Sequence, residues 1–428
     1  MPFPNHPNHT MPLPNQAKVS IHYLGCKVNR ADGDELLGCL LSAGAIPAPP
    51  AEAGLNIVMT CVVTKEAEQK TRKAINRLLL ENKQAPVLVV GCAVAVNEQL
   101  YQSADERVYL AKQAEPAKGI ALQLLGLGQE AVPVSGRTPA VKPADRQRYN
   151  LKIQDGCDSE CSFCVVRIAR GKSRSRALDD VVSEASLAEA AGWREIVLTG
   201  INLGSYRIGE DSGPGLPTLL WALLANTRHS RFRLSSIEPM DVSDHLVDLI
   251  AGSKGRICAH LHMPLQSGSD RVLQMMNRPY TSGQFASRVA YARERLPQLA
   301  LSSDLIVGFP GETEADFLST YELCREMSFM RMHVFRFSPR DKTTAATMPN
   351  QLDEATKSRR SAKLRKLADE LTGLDLQKRV GTSELVLVER AGLGRSESYH
   401  LVRLPDDLEV GSLSSVRFSG YTDKLLEC

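Results

Sequence analysis

The 428-residue chain has little of what marks a membrane, exported or strongly charged protein. It has no run of about 18 apolar residues, which excludes a conventional membrane-spanning helix. Its formal net charge is only +3, so an anionic partner must be bound by local basic patches. No apolar signal-peptide core opens the chain, so we expect a cytoplasmic protein. Its ten cysteines are then expected to be metal ligands or catalytic groups and not disulfides.

Two proline-rich stretches suggest how the chain is divided into domains. Residues 1–16 contain five prolines and no apolar stretch, which predicts a disordered tail. Residues 135–148 are rich in Pro, Arg and Lys, which predicts a linker. These stretches leave an N-terminal domain over residues 17–134, a core over residues 149–380 and a C-terminal module over residues 381–428.

Three apolar, β-branched segments of the N-terminal domain each end at a cysteine: Cys26, Cys61 and Cys92, here called the N-terminal trio. The intervals of 35 and 31 residues each match one strand–helix unit. Parallel strands of an open α/β sheet end at the same edge, so we predict a three-layer α/β domain in which the trio converges. The alternative is three unrelated buried cysteines, since cysteine is a common core residue.

The core alternates six apolar strand segments with helical patterns, which predicts an α/β fold with a partial (β/α)6 barrel. Polar residues follow the strands, at the edge where such barrels place active sites. A helix rich in leucine and charge is predicted over residues 352–378. After it, short strands separated by turns predict a small, all-β C-terminal module.

Three further cysteines follow the first core strand within eight residues: Cys157, Cys161 and Cys164, here called the barrel trio. A structural zinc site uses four ligands, so a Cys3His site would have to recruit His260 or His262. An iron–sulfur cubane held by three thiolates instead leaves one iron open to a substrate or cofactor. The lack of a fourth ligand therefore favours a catalytic iron–sulfur cluster.

The CxxxCxxC spacing of this loop resembles the radical S-adenosylmethionine (SAM) superfamily. Together with the cysteine-bearing domain and the β-module, the chain resembles the methylthiotransferases of that superfamily, whose C-terminal module is a TRAM domain. Met59, Arg167 and Lys342 depart from the usual residues of the family, in loops expected near the site. The matching segments are LGCKVN (24–29), LKIQDGC (151–157), VLTGINLGSY (197–206), RLSSIEP (233–239), HLHMPLQSGSD (260–270) and DLIVGFPGETEADF (304–317).

The resemblance implies two [4Fe–4S] clusters and SAM as cofactors. The barrel trio would bind the cluster whose open iron binds SAM and whose electron cleaves it to a 5′-deoxyadenosyl radical. The N-terminal trio would bind a second cluster that carries the sulfur to be inserted, and a second SAM would supply the methyl group. Replacing an unactivated aromatic C–H bond is beyond side-chain acid–base chemistry, which makes a cofactor-generated radical the plausible agent.

The resemblance also suggests which residues contact SAM, although each has an ordinary structural alternative. Phe163 matches an aromatic near the adenine, but a packed core aromatic is an equal alternative. The other candidates are strand-end residues whose polar groups the backbone could satisfy equally well. The full set of cofactor-binding candidates is Phe163, Gly200, Asn202, Glu238 and Gln266.

Within the family, Lys27-Val28 and Gln154-Asp155 most resemble the threonylcarbamoyl-adenosine tRNA enzymes. The expected product is a 2-methylthio group on the modified adenosine next to the anticodon, a base that can be splayed into a pocket. The expected partners are tRNA, an electron donor such as flavodoxin or ferredoxin, and a sulfur donor, with no membrane partner. Methylthiolation of a ribosomal protein or of isopentenyl-adenosine remains open. So does a non-catalytic iron–sulfur or zinc tRNA-binding protein.

Two basic stretches are candidates for contacts to a charged substrate or cofactor. One lies beside the barrel trio, and the other lies on the predicted helix, where a solvated face is the competing interpretation. The C-terminal module has five basic and eight acidic residues, a balance that argues against RNA binding by the module. The candidate residues are Arg170, Lys172, Arg174, Arg176, Arg359, Arg360 and Lys363.

Overall fold

The computed structural model describes residues 17–62, 65–102, 105–128, 146–209 and 213–428. The predicted tail and most of the predicted linker lie outside these residues. The described residues form two compact units. The first comprises 17–128 with Ile168–Arg170, and the second comprises 146–167 with 171–428.

The first unit is the predicted three-layer α/β domain. Its strands are β1 (Lys18–Tyr23), β2 (Ile46–Pro47), β3 (Leu55–Thr60), β4 (Val87–Gly91) and β5 (Val108–Ala111). Its helices are α1 (Lys27–Ser42), α2 (Lys65–Glu81), α3 (Cys92–Val96) and α4 (Ala114–Leu124). The sheet is parallel throughout, in the order β2-β1-β3-β4-β5.

Alternation along the buried strands explains the layers of this unit. Ile57 and Met59 of β3, with Leu88 of β4, pack in one cluster with residues of α1 and α4. The alternate side chains, Val58 and Val89, are equally buried and point to the opposite face, because successive residues of a strand alternate. Met59 was expected in a loop, and its position inside β3 corrects that expectation.

The second unit contains the predicted partial barrel. Its strands are β6 (Arg148–Lys152), β7 (Gln154–Asp155), β8 (Arg174–Ser175), β9 (Glu195–Thr199), β10 (Arg231–Leu234), β11 (His260–His262), β12 (Ala300–Val307) and β13 (Arg331–Arg336). Its helices are α5 (Val166–Arg170), of which Ile168–Arg170 belong to the first unit, α6 (Leu178–Ala190), α7 (Leu216–Asn226), α8 (Asp244–Gly252), α9 (Asp270–Met275), α10 (Ser282–Arg295), α11 (Glu314–Met327) and α12 (Glu354–Arg379). Among the described residues, none of the helices has the length and apolar character needed to cross a membrane.

Six parallel strands form the barrel wall. They pair as β10-β9-β6 and β11-β12-β13, and parallel bridges from Phe232 to Ile257 and from Ser236 to His262 connect the two sets. Leu301 of β12 belongs to the large core cluster beneath the helices. The residues of β12 that alternate with the core residues lie on the inner face of the wall. Because the six strands are parallel, their carboxyl ends lie at one edge of the wall, as the (β/α)6 prediction requires.

The C-terminal module is all-β, as predicted. Its strands are β14 (Ser383–Arg390), β15 (Leu393–Ser396), β16 (Leu401–Arg403), β17 (Leu413–Arg417), β18 (Gly420–Thr422) and β19 (Leu425–Glu427), paired in the order β17-β14-β15-β16-β19-β18. Its small core includes Val386, Val402 and Phe418, together with Leu376 from α12. The module thus shares part of its core with the helix that follows the barrel.

A buried ion-pair group joins the barrel to this module. Nε of Arg231 and Nε of Arg233 each donate to the Glu195 carboxylate at 2.8 Å, and all three side chains are at most 1% exposed. The same guanidinium groups donate to module carbonyls, Leu385 O at 2.6 Å and Ser396 O at 3.0 Å. Burial alone would raise the pKa of Glu195, but the two arginines outweigh burial and hold that pKa well below its usual range.

Removing the carboxylate of Glu195 should destabilise the whole second unit. The change Glu195→Gln removes the carboxylate with which two buried guanidinium groups pair, and breaking such a buried pair typically costs about 3–5 kcal/mol of unfolding free energy. Urea unfolding of the purified chain measures this loss. As a control, Asp248→Asn breaks an exposed pair with Arg295 and should leave the unfolding midpoint nearly unchanged. Equal midpoints for the two variants would contradict this role of Glu195.

Candidate functional site

The N-terminal trio lies at one edge of the parallel sheet of the first unit. Cys26 caps α1 after β1, Cys61 directly follows β3, and Cys92 begins α3 after β4. Burial raises the pKa of the Cys92 thiol to about 11, and the nearby thiols of Cys26 and Cys61 add to the shift. Because β1, β3 and β4 are adjacent parallel strands, the three cysteines that follow them lie at one edge of the sheet, as the strand spacing predicts.

A buried amide and a hydroxyl connect the loops that carry this trio. Nδ2 of Asn29 donates to Thr60 O at 3.1 Å, and Oγ1 of Thr60 donates to Val90 O at 2.9 Å. Gly91 has a φ of +114°, and a Cβ there would lie 3.0 Å from Nδ2 of Asn29. A Cβ at Gly25 would lie 2.2 Å from Oδ1 of Asn29. In the sequence, the glycines that precede Cys26 and Cys92, Gly25 and Gly91, are the residues that indicate this close packing.

The loop of the barrel trio is held from one side by Gln154. Its Nε2 donates to Gly156 O and to Oγ of Ser173, both at 2.9 Å, and its Oε1 accepts from Ile201 N at 2.9 Å. Gly156 has a φ of +73°, and a Cβ there would lie 1.9 Å from Lys172 O. Gln154 was noted only as a mark of a substrate branch, but it also fixes the cysteine loop to the next strand of the barrel.

The other side of the loop is held by Ser162. Its backbone N donates to Met276 O at 3.0 Å, and its Oγ donates to Met275 O at 2.9 Å. Its carbonyl accepts from Ala345 N at 2.8 Å. Two segments far from the loop in sequence therefore help to position the barrel trio, and neither contact was predicted.

The electrostatics of the barrel trio are dominated by burial. Burial raises the pKa of Cys164 to about 12, and it also raises the pKa of Cys161. The Cys157 thiol adds to both pKa shifts, and the Cys161 thiol adds to the shift at Cys164. Arg278 opposes the shift at Cys161, because its Nη1 donates to the Cys161 sulfur at 3.0 Å. These thiols would need a positively charged partner to become thiolates at neutral pH.

Two family models match the chain. The model described as the radical SAM superfamily matches residues 151–324, and the model described as Uncharacterized protein family UPF0004 matches residues 18–111. The first match contains the barrel trio, and the second contains the N-terminal trio. Each trio therefore lies in its own matched region.

Curated relatives extend these matches over nearly the whole chain. The threonylcarbamoyladenosine tRNA methylthiotransferase MtaB of Thermotoga maritima is 34% identical over 95% of this chain and 95% of its own. The protein of the same name from Bacillus subtilis is 37% identical over 83% of this chain and 81% of its own. The tRNA-2-methylthio-N(6)-dimethylallyladenosine synthase of Thermodesulfovibrio yellowstonii is 31% identical over 94% and 96%.

The chain belongs to the radical SAM methylthiotransferase family. It is a transferase, and the cofactors of this family are SAM and two [4Fe–4S] clusters. Solved structures support the fold. The radical SAM methyltransferase TsrM of Kitasatospora setae, solved with cobalamin and a [4Fe–4S] cluster, aligns with a TM-score of 0.55. That alignment has 14% identity and covers 77% of each chain, so it shows the fold alone.

The donor atoms present in the methylthiotransferase fit clusters better than zinc. All six trio cysteines are free thiols, as a metal site requires. Structural zinc takes four protein ligands. A [4Fe–4S] cluster that keeps one iron open for a cofactor takes three thiolates, the number that each trio supplies.

The histidines that a Cys3His site would recruit have other partners. Nδ1 of His262 lies 3.0 Å from Oγ of Ser302, and its Nε2 lies 3.3 Å from Asp304. Nε2 of His260 lies 3.2 Å from the same Ser302 hydroxyl. The structure therefore gives neither histidine to the barrel trio.

Two of the SAM candidates, Phe163 and Gly200, lie against the framework of the loop. Phe163 packs against a small apolar cluster that includes Phe309 and Phe337. A Cβ at Gly200 would lie 3.0 Å from Oε1 of Gln154, so a larger residue would disturb the hydrogen bonds that hold the loop. Both residues therefore have a role in packing around the loop, and their contact with SAM stays a prediction.

The other three SAM candidates lie at the ends of barrel strands. The Asn202 side chain accepts from Gly204 N at 3.0 Å and donates to Asp241 at 2.9 Å. Glu238 pairs with Arg278; burial raises the pKa of Glu238 and the arginine opposes that shift. Gln266 has a φ of +65°, a left-handed backbone that is uncommon for a residue with a side chain. Asn202 and Glu238 therefore have structural partners, and SAM contact by all three stays a prediction.

Three of the seven basic candidates have guanidinium groups held in ion pairs with carboxylates, and their contact with a substrate or cofactor stays a prediction. Arg170 donates to Asp32 at 3.0 Å, and its side chain is 8% exposed. Arg176 donates to Glu184 at 2.7 Å and is 21% exposed. Arg360 donates to Glu312 at 2.6 Å and is 5% exposed.

The other four basic candidates are exposed: Lys172, Arg174, Arg359 and Lys363. The ammonium group of Lys363 lies 5.0 Å from the centroid of the Tyr321 ring, which places the lysine along the surface of α11. These four side chains are accessible to an anionic ligand, so the prediction of substrate contact stands for them.

Changing each trio should remove one cluster and leave the other. The anaerobically reconstituted chain should hold about eight irons. Replacing the three barrel-trio cysteines by alanine should remove about half of the iron and abolish reductive SAM cleavage. Replacing the three N-terminal cysteines should remove the other half while SAM cleavage stays measurable.

Iron analysis and detection of 5′-deoxyadenosine measure these two effects. The control is Cys39→Ala, because Cys39 lies within α1 and belongs to neither trio. A barrel-trio variant that keeps all of its iron and still cleaves SAM would refute the assignment of the catalytic cluster.

Proposed function

We propose that this methylthiotransferase adds a 2-methylthio group to threonylcarbamoyl-adenosine next to the anticodon of tRNA. The observation that carries the proposal is the similarity, over 95% of both chains, to a Thermotoga maritima protein named for that activity. The Lys27-Val28 and Gln154-Asp155 pairs support the same branch. A relative named for dimethylallyladenosine in tRNA is 31% identical. The similarities therefore support a tRNA substrate more strongly than they support this particular modified adenosine.

The residues of this chain would position the reaction at the carboxyl edge of the barrel. The barrel trio and the N-terminal trio would hold the two clusters, which with SAM supply a one-electron route to replace an aromatic C–H bond. Gln154 and Ser162 fix the loop of the barrel trio through buried hydrogen bonds. The apolar cluster around Phe309 and Phe337 lies against the same loop and excludes water from that side.

The exposed basic side chains on α12 offer a surface for tRNA phosphates. Arg359 and Lys363 lie one helical turn apart, so their side chains share one side of the helix. Arg365 and Lys366 are also exposed on this helix. Lysine and arginine that neutralise phosphates supply much of the affinity of nucleic-acid binding.

The proposal also includes a cytoplasmic location, an electron donor such as flavodoxin or ferredoxin, and a sulfur donor.

A ribosomal-protein substrate is the second candidate, because the composition of the C-terminal module is acidic. The contacts of that module weaken this argument. Glu384 pairs with Arg379 at 2.6 Å, and Glu389 pairs with Arg148 at 2.9 Å. Glu397 accepts from a barrel backbone N–H at 3.2 Å. Three of the eight acids therefore serve internal contacts, and the composition overstates the acidity of the surface.

The two substrates can be separated in one assay. The reconstituted enzyme with SAM, reductant and a sulfur source is incubated with threonylcarbamoylated tRNA, with isopentenylated tRNA or with ribosomes. Mass spectrometry should find the added methylthio group on the threonylcarbamoyl nucleoside. A methylthio group found only on a ribosomal protein, or only on isopentenyl-adenosine, would overturn the proposed substrate.

The α12 surface predicts how tRNA binding responds to salt. The double change Arg359→Gln and Lys363→Gln should weaken tRNA binding and lower the slope of log K against log salt by about one per lost phosphate contact. Iron content should not change, because neither residue contacts a trio. Arg295→Gln is the control, since Arg295 is exposed but lies on α10 in a pair with Asp248. An unchanged slope in the double variant would exclude this surface.

A further inference from the structure

In each cysteine trio, one thiol accepts a hydrogen bond from a buried arginine, and the two trios have different arginines. Nε of Arg170 donates to the Cys92 sulfur at 3.2 Å, within the first unit. Nη1 of Arg278 donates to the Cys161 sulfur at 3.0 Å, within the second unit. The two arginine side chains are only 8% and 3% exposed. The same contact is therefore built twice, in different folds and by unrelated segments.

Each arginine is also fixed by a carboxylate. Nη1 of Arg170 donates to Asp32 at 3.0 Å, and Asp32 lies on α1, six residues after Cys26. Nη2 of Arg278 donates to Glu238. A guanidinium group is a rigid plane with five N–H donors, so binding a carboxylate with one edge fixes the direction of the remaining donors. In both places a remaining N–H points at sulfur.

This geometry is better suited to a thiolate than to a thiol. A neutral thiol is a weak acceptor, and a buried guanidinium group would gain little from it. A thiolate forms a charge-assisted hydrogen bond, which is about twice as strong as a neutral one. Hydrogen bonds to the sulfurs are one of the factors that set the reduction potential of an iron–sulfur cluster. A donated N–H stabilises the more negative, reduced form and so raises the potential.

We propose that Arg170 and Arg278 are positioning residues that set the reduction potentials of the two clusters. Arg170 acts on the cluster of the N-terminal trio through Cys92, and Arg278 acts on the cluster of the barrel trio through Cys161. Asp32 and Glu238 hold the arginines in place and moderate their charge. The inference rests on the two clusters of the family and does not depend on which substrate is methylthiolated.

The charges predict opposite effects for the arginine and its carboxylate partner. Arg170→Gln removes a positive charge and a donor, so the potential of the N-terminal cluster should fall. Asp32→Asn keeps the arginine and removes a negative charge, so the same potential should rise. Arg278→Gln should lower the potential of the barrel cluster. A purely structural role would give no such reversal of sign between Arg170→Gln and Asp32→Asn.

The experiment is a redox titration of the anaerobically reconstituted full chain, followed by electron paramagnetic resonance. The two signals are assigned with the triple-alanine variants of each trio. Arg170→Gln should shift only the signal that the N-terminal triple variant lacks, and Arg278→Gln only the signal that the barrel variant lacks. The matched control is Arg295→Gln, because Arg295 lies on α10 and forms an exposed pair with Asp248, away from both trios in sequence. Both potentials should stay unchanged in the control.

Several outcomes would overturn the proposal. One is unchanged potentials in both arginine variants with full iron content, and another is an equal shift of both signals in a single variant. If Arg170→Gln or Arg278→Gln loses its cluster, Asp32→Asn and Glu238→Gln decide, because each keeps the arginine. A rise in the matching potential supports the proposal, and no change or a fall refutes it. Iron that does not follow the trios would instead refute the cluster assignment itself.

Discussion

Both cysteine trios depend on backbone segments that approach each other more closely than a side chain would permit. At Gly156 a Cβ would overlap the carbonyl of Lys172, and at Gly91 a side chain would press on Asn29 while the backbone holds a positive φ. Only glycine combines that φ with that absence of bulk. The thiols are positioned by these contacts and by the buried amide of Gln154, since the cysteine side chains themselves are short.

The layout of the strands could be predicted from the sequence because parallel, fully buried strands leave a strong local signal. Such strands are short, apolar and β-branched, and they end where the chain turns to a helix. The convergence of the N-terminal trio follows from that pattern alone. The arginines of β10 show the limit of the method. Arg231 and Arg233 lie in β10, and their burial depends on Glu195 and on module carbonyls more than 150 residues away.

The ion pairs of three basic candidates could not be predicted for a related reason. A sequence shows where the charges lie but does not show which charges are paired in space. Arg360 meets Glu312 across 48 residues, and Arg170 meets Asp32 across 138. Both pairs are buried, where an unpaired charge would be strongly unfavourable, so neither arginine can serve as a free surface cation. The other four candidates, Lys172, Arg174, Arg359 and Lys363, have exposed side chains.

The buried arginines near the trios have a different physical role from a simple counter-charge. Three thiolates carry more negative charge than one guanidinium can neutralise, so the iron must supply most of the compensation. Each arginine is also paired with a carboxylate, which cancels much of its charge. The main effect of each pair is therefore the orientation of a hydrogen bond. The carboxylate orients the guanidinium group, so that one N–H points at a particular sulfur. The protein thereby acts on the electronic properties of a cluster through one hydrogen bond, without a large change in the net charge around it.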